Sequence, residues 1–163
     1  MSPQPVASRP EMAEYGLLPA EAGRGLLSWA WAVERLTAAH TYWFSTTRPD
    51  GRPHLMPIWG IWIEESLAFS TAGSSRKARN LARSPACAVA LLAGEESIIV
   101  EGVATSVTAK TARTRILQTY REKYREGFPS DSDIYAVRPT VAFAFIDNAD
   151  DFVGASTRWR FPT

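Results

Sequence analysis

Ser74-Ser75 followed by Arg76, Lys77 and Arg79 is the stretch of this chain in which chemically capable side chains lie closest together. A serine there takes the N-cap position of a helix expected from about Arg76 to Arg83, which ends ahead of Pro85. A helix N-terminus already carries partial positive charge and favours acids in its first turn. This one carries cations instead, so like charge is concentrated rather than offset. Serine hydroxyls, free backbone N–H groups and cations that converge on one point are the ingredients of a phosphate site. The same residues also fit a solvated basic face, and the residue types alone leave both readings open.

Other chemistries find less support. The chain has two histidines, His40 and His54, and one cysteine, Cys87, with no metal-ligand spacing among them. Cys87 lies in an apolar run and reads as a small buried hydrophobe. His40 reads as a packing histidine at the end of a helix, whereas His54 opens the central strand. A serine hydrolase would require a strained nucleophile turn such as G-x-S-x-G, and neither that nor a Gly-rich dinucleotide or P-loop motif occurs. The basic run 76 to 83 beside tryptophans raises nucleic-acid binding as a second class. That class needs a stripe of charge and a positive domain, whereas the net charge here is +1.

The elements that must position the basic segment begin with Leu55 to Ile63, whose two alternating sets are both compatible with burial, so a single strand covered on both faces is expected. Glu64-Glu65-Ser66 turns the chain and Leu67 to Thr71 returns it as a hairpin. Upstream, Thr41 to Thr47 is rich in aromatic and β-branched residues and reads as a strand. Arg48-Pro49-Asp50-Gly51 then supplies turn chemistry. Leu27 to Ala39 has helical spacing of apolar residues, and its Trp29 and Trp31 read as packing groups. Cys87 to Leu92 and Ser97 to Val107 form the next antiparallel pair, with Gly102 marking a bulge or close approach. Thr111 to Glu126 reads as a second long helix stopped by Gly127-Phe128-Pro129. Residues 129 to 139 read as a loop, Thr140 to Ile146 as a core strand, and Ala155 to Phe161 as a last strand.

At 163 residues, 45% hydrophobic and 21% charged, the chain is one soluble globular domain's worth of core. Residues 1–25, punctuated by Pro3, Pro5, Pro10 and Pro19, read as an arm without a core of its own, expected to be disordered or to wrap a partner subunit. Residues 26–163 form the folded domain. A lone cysteine and the lack of a signal-peptide pattern or membrane-length apolar run point to a cytoplasmic protein. The expected fold is mainly β (α+β): a six-stranded antiparallel split β-barrel with flanking helices.

The hairpin YWFSTTRPDGRPHLMPIWG (Tyr42 to Gly60), the segment SSRKARNL (Ser74 to Leu81), the strand IVEGVA (Ile99 to Ala104) and the tail TRWRF (Thr157 to Phe161) together resemble the pyridoxamine 5'-phosphate oxidase-like superfamily of flavin- and deazaflavin-binding split barrels. The likeness runs from about Trp29 to Val107 and more loosely to Phe161. It implies an oxidoreductase that binds FMN or the deazaflavin coenzyme F-420 and transfers hydride to a small organic substrate. It also implies a homodimer with cofactor sites at the interface, which would cover the outer face of the doubly apolar strand. The cofactor-binding set carried over is His54, Met56, Pro57, Ile58 and Trp59 along the ring, Ser70, Thr71, Ser75, Arg76 and Lys77 at the phosphate, and Trp159 reaching across from the opposing subunit. No dedicated catalytic residue and no metal are implied. A non-catalytic flavin, deazaflavin or haem carrier is the alternative. The short turn at Asp50-Gly51 and the small residues Ala72-Gly73 leave room for the longer phosphate-side tail of F-420.

Overall fold

The computed structural model describes residues 4–129 and 131–162. Residues 1–3 of the expected arm, residue 130 of the expected loop and residue 163 lie outside the described residues. In chain order the elements are β1 (Val6–Ser8), a 3-10 turn (Ala13–Tyr15), α1 (Trp29–Ala38), β2 (Tyr42–Thr47), β3 (Pro53–Ile58), β4 (Ile61–Ile63) and β5 (Ser66–Thr71). There follow α2 (Arg76–Arg83), β6 (Ala86–Ala93), β7 (Glu96–Ser106), α3 (Lys110–Tyr124), β8 (Asp133–Ile146), α4 (Ala149–Ala155) and β9 (Thr157–Arg160).

All pairings are antiparallel, in the order β1-β9-β8-β7-β6-β2-β3, with β5 joined to β8 and β4 to β5. The split-barrel class therefore holds, but among the described residues the sheet has nine strands rather than six and is not closed. Long strand β8 is the spine. Its Val141 to Ala144 pair with β9, its Asp133 to Val137 pair with β5, and β7 runs along its other edge.

Residues 129 to 139 were expected to form a loop, but strand β8 begins at Asp133 and passes through Pro139. A proline in a strand interior removes a ladder donor and is tolerated at bulges. Pro139 sits at one: the β7–β8 register shifts between Glu101 and Gly102, and Gly102 pairs with Pro139. Gly102 is required there, because a Cβ would stand 2.3 Å from the Arg138 carbonyl oxygen.

The expected single strand 55 to 63 is likewise two strands. β3 pairs with β2 and β4 with β5, and the chain leaves one ladder for the other at Trp59-Gly60. Leu55, Met56 and Trp59 are exposed in the single chain, so double-sided burial does not hold within it. The last strand is shorter than expected, because Ala155 ends α4, whose cap Asn148 accepts from the Asp151 N–H.

The main core lies between α1 and the concave face of the sheet, around Trp29, Leu36, Phe44, Phe69, Val100 and Trp159. A second cluster packs α3 on β4, β5 and β8 through Ile116, Tyr120, Tyr124, Ile61 and Ile134. The arm is bonded to this same chain. Val6 to Ser8 pair with β9, and the Arg9 guanidinium donates to five carbonyls, those of Leu18, Pro19, Ala22, Gly154 and Ser156. Among the described residues no helix is long and apolar enough to cross a membrane.

Candidate cofactor cradle

The turn after β5 and the start of α2 bring hydroxyls and cations together. Ser75 is the N-cap of α2: its Oγ accepts from the Ala78 N–H at 3.2 Å and from the Thr71 hydroxyl at 2.9 Å. Lys77 Nζ donates to Thr71 Oγ1 at 3.4 Å. Lys77 is partly withdrawn from water, which lowers its pKa, and it has no carboxylate partner. Among the described residues neither Arg48, Arg76 nor Lys77 forms an ion pair, although seven other ion-pair contacts occur.

Strand β3 runs past this turn. On a strand alternate residues share a face, and the β2–β3 register sets His54 beside Thr46, Met56 beside Phe44 and Ile58 beside Tyr42, with Leu55 and Pro57 on the other side. His54 Nδ1 lies 3.5 Å from Thr46 Oγ1, which in turn accepts from Asn80 Nδ2 at 2.9 Å. The His54 pKa is lowered by partial desolvation and then by the positive charges of Arg48, Lys77 and Arg76. Those three cations thus act on one imidazole, so the turn between β2 and β3, the strand and the helix start form one electropositive patch.

His54, Thr71, Ser75, Arg76 and Lys77 are therefore brought together as expected. Ser70 is not: it adjoins Thr71 on β5, so its side chain lies on the opposite face, the one that packs toward α3. Pro57 faces away on the outer side of the sheet. Ile58 is buried in the main core, and Met56 stands exposed on the face of His54. Trp59 lies at the break between ladders, its ring parallel to Tyr124 at 5.0 Å with His40 edge-on to both. Trp159, expected at a cofactor edge of the opposing subunit, is 1% exposed and packs edge-on against Trp29 at 5.3 Å in its own core. It is a structural residue of this chain.

Sequence reasoning missed Thr46, Arg48 and Asn80. Asn80 gave a signal: a poor helix former on the inward side of an eight-residue helix. It also missed Lys123 and Tyr124, which hold the break at Gly60. Lys123 Nζ donates to the Gly60 carbonyl and the Tyr42 hydroxyl, both at 3.0 Å, and the Tyr124 hydroxyl accepts from the Gly60 N–H at 3.0 Å. Burial pulls the Lys123 pKa down to about 8.

The donor set fits a phosphate: unpaired cations, hydroxyls and a helix N-terminus that already attracts anions. The two turns expected to leave room for a longer tail differ in their surroundings. Gly51 opens onto free space, whereas a Cβ on Gly73 would stand 2.8 Å from the Asp133 carboxylate. Among the described residues no group of three or more His, Cys, Asp or Glu is placed to hold a metal ion.

Residues 30–146 match the family model described as pyridoxamine 5'-phosphate oxidase. No curated protein matches the chain. Among solved structures, a conserved hypothetical protein, Rv2991 from Mycobacterium tuberculosis, is 22% identical with a TM-score of 0.68 over 76% of this chain and 87% of that one. An F420 reductase is 26% identical with a TM-score of 0.56 over 67% of this chain and 94% of that one. HutZ, the haem storage protein from Vibrio cholerae, is 17% identical with a TM-score of 0.62 over 72% and 92%, which is a likeness of fold. With the family model matched over most of its length and the cradle built from the expected helix start, the chain belongs to the pyridoxamine 5'-phosphate oxidase family.

Proposed function

We propose that this protein is an oxidoreductase that holds the phosphate of FMN or of the deazaflavin coenzyme F-420 in the cradle of Thr71, Ser75, Arg76 and Lys77, and works as a homodimer. The observation that carries the reading is Lys77, drawn partly out of water with only the neutral Thr71 hydroxyl as a partner and with Arg76 and Arg48 nearby. Cations held together without counter-charge are a standing cost, which a bound dianion reverses. The F420 reductase among similar structures supports a phosphate-bearing redox cofactor in this fold.

When bound, such a cofactor supplies the hydride chemistry. The residues around it bind, orient and exclude water. Ser75 and the N–H groups at the start of α2 position the phosphate, and β3 offers Met56 and the backbone up to Trp59 as a wall for the ring. Lys123 and Tyr124 fix that wall's far end by fastening Gly60. No acid or base is needed in the set.

The test is titration of purified protein with FMN, F-420 and haem, followed by absorption and fluorescence, then stopped-flow mixing of the reduced complex with enones and quinones. Saturable micromolar binding of FMN or F-420, with faster reoxidation than free cofactor by at least one acceptor, is the expected result. Binding with no acceleration for any acceptor leaves a carrier, and absence of binding by either phosphate-bearing cofactor overturns the reading.

A further inference from the structure

We propose that His54 is a titrating ligand of the cradle: it takes up a proton when the phosphate binds, and the Asn80–Thr46 tether holds its ring so that Nε2 is the nitrogen available to the anion. This rests on the cradle reading and adds the regulation of that same site by pH. Asn80 is 0% exposed, and its amide NH2 donates to Thr46 Oγ1 while its Oδ1 has no partner. Thr46 is itself 2% exposed and has a single hydroxyl hydrogen. With its oxygen already accepting from Asn80, that hydrogen is free to reach His54 Nδ1, 3.5 Å away. With Thr46 as the donor of that pair, Nδ1 is unprotonated in the neutral ring and the proton sits on Nε2.

The charged groups acting on the imidazole are Arg48 from the turn after β2, and Arg76 and Lys77 from α2; all three are cations. Partial desolvation, and then these cations, lower the proton affinity of the ring in the free protein. The Asp133 carboxylate of β8, opposite Thr71 in register, lies against Gly73 and does not pair with any of them. A phosphate dianion reverses the local potential and raises the affinity of His54 for a proton. The sign of the linkage follows. His54 binds a proton more tightly in the complex than in the free protein, so affinity for the anion rises as pH falls through the interval between its two pKa values. The proton taken up from solvent lands on Nδ1, which then donates to Thr46 Oγ1, while Nε2–H is carried in both states. Only a proton from solvent is consumed, and no covalent bond changes.

The chain's two histidines make the test direct. Protein labelled with 15N-histidine is titrated by NMR with and without saturating FMN, with inorganic phosphate as a second probe, riboflavin as the phosphate-free control and His54→Gln as the assignment. The expected result is an Nε2–H neutral ring, a His54 midpoint raised by about one pH unit or more by FMN or phosphate, and no rise with riboflavin. In calorimetry across buffers of different ionisation enthalpy, proton uptake in excess of that of His54→Gln is expected, since the ligand's own ionisation is common to both. Thr46→Val is expected to mix the two neutral tautomers. An Nδ1–H tautomer in the parent, or saturating binding with an unmoved His54 midpoint, overturns this proposal alone. No binding of FMN or phosphate by a folded parent overturns it together with the cradle.

Discussion

Lys77 and Lys123 are both drawn out of water without a carboxylate, and their surroundings give them different uses. Lys77 stands beside other cations at a helix N-terminus, so it is expected to weaken the free protein slightly and to strengthen a phosphate-bound one. Replacing it with alanine is expected to weaken FMN binding by about 1.5–3 kcal/mol, the worth of a hydrogen bond to a charged group, while the free protein melts no lower than the parent. Calorimetric titration at low salt, with thermal melts of both proteins, checks the pair of effects; equal affinity in mutant and parent would place the phosphate elsewhere. Lys123 instead fastens Gly60 and Tyr42, and its pKa falls from 10.5 to about 8. The unfolded chain then binds more protons than the folded one between those values, so Lys123 makes stability rise with pH across that window. Cys87, raised to about 12 by burial, acts in the opposite sense but does not touch Lys123 and is shared by a Lys123 variant. The parent minus Lys123→Met difference in urea midpoint is therefore expected to grow in the parent's favour from pH 7 to pH 9.5. A difference that stays flat would show that burial does not shift this lysine.

At the scale of elements, what was legible in the sequence was local. The hairpin strands, both long helices and the Ser75-capped helix all follow from periodicity and caps within a few residues. The hydroxyls and cations of the proposed phosphate cradle were legible for the same reason, since Thr71 to Lys77 are contiguous. The His54–Thr46–Asn80 chain was not, because it joins three elements through a register that no short window contains. Trp159 was misread because a tail motif cannot show that Trp29 of α1 encloses it. The start of β8 was masked by Pro139, a breaker whose compensation, the bulge at Gly102, lies more than thirty residues earlier. That compensation is testable. Gly102→Ala sets a methyl against the Arg138 carbonyl, and moving backbone to relieve such a clash is expected to cost on the order of 2 kcal/mol or more. Val103→Ala at the neighbouring exposed position is expected to cost far less, and urea unfolding of the two variants side by side measures the contrast. Equal losses would mean that the bulge has slack.

At the scale of the molecule, the sheet's outer face presents apolar side chains to solvent. The β3-β2-β6-β7-β8 register sets Leu55 and Pro57, Trp43, Leu92, Ile99 and Val103, and Phe143 on the side opposite the core. Leu55 is 56% exposed, Trp43 44% and Leu92 71%. Single exposed hydrophobes are ordinary, but neighbours on adjacent strands form a contiguous patch of the kind that marks an interface. A hollow of about 400 Å³ lies beside Val103 on the same face, lined by Ser45, Ala88, Glu101 and Thr140 among others, and a net charge of +1 offers little repulsion between copies. A second copy of the chain is the occupant we propose, with more than about 1,000 Å² buried in total. Light scattering at micromolar concentration is expected to give twice the chain mass, and Trp43→Glu with Leu55→Glu, two substitutions outside the cradle and on the outer face, to give the chain mass without loss of helix or strand content. The same variant asks whether the cofactor site spans two chains. If the ring is walled by the partner, the monomer is expected to keep inorganic phosphate binding at the cradle while losing most of its affinity for FMN. A monomer that binds FMN as tightly as the parent would show the site to be complete within one chain, and a parent that is already monomeric would remove the interface altogether.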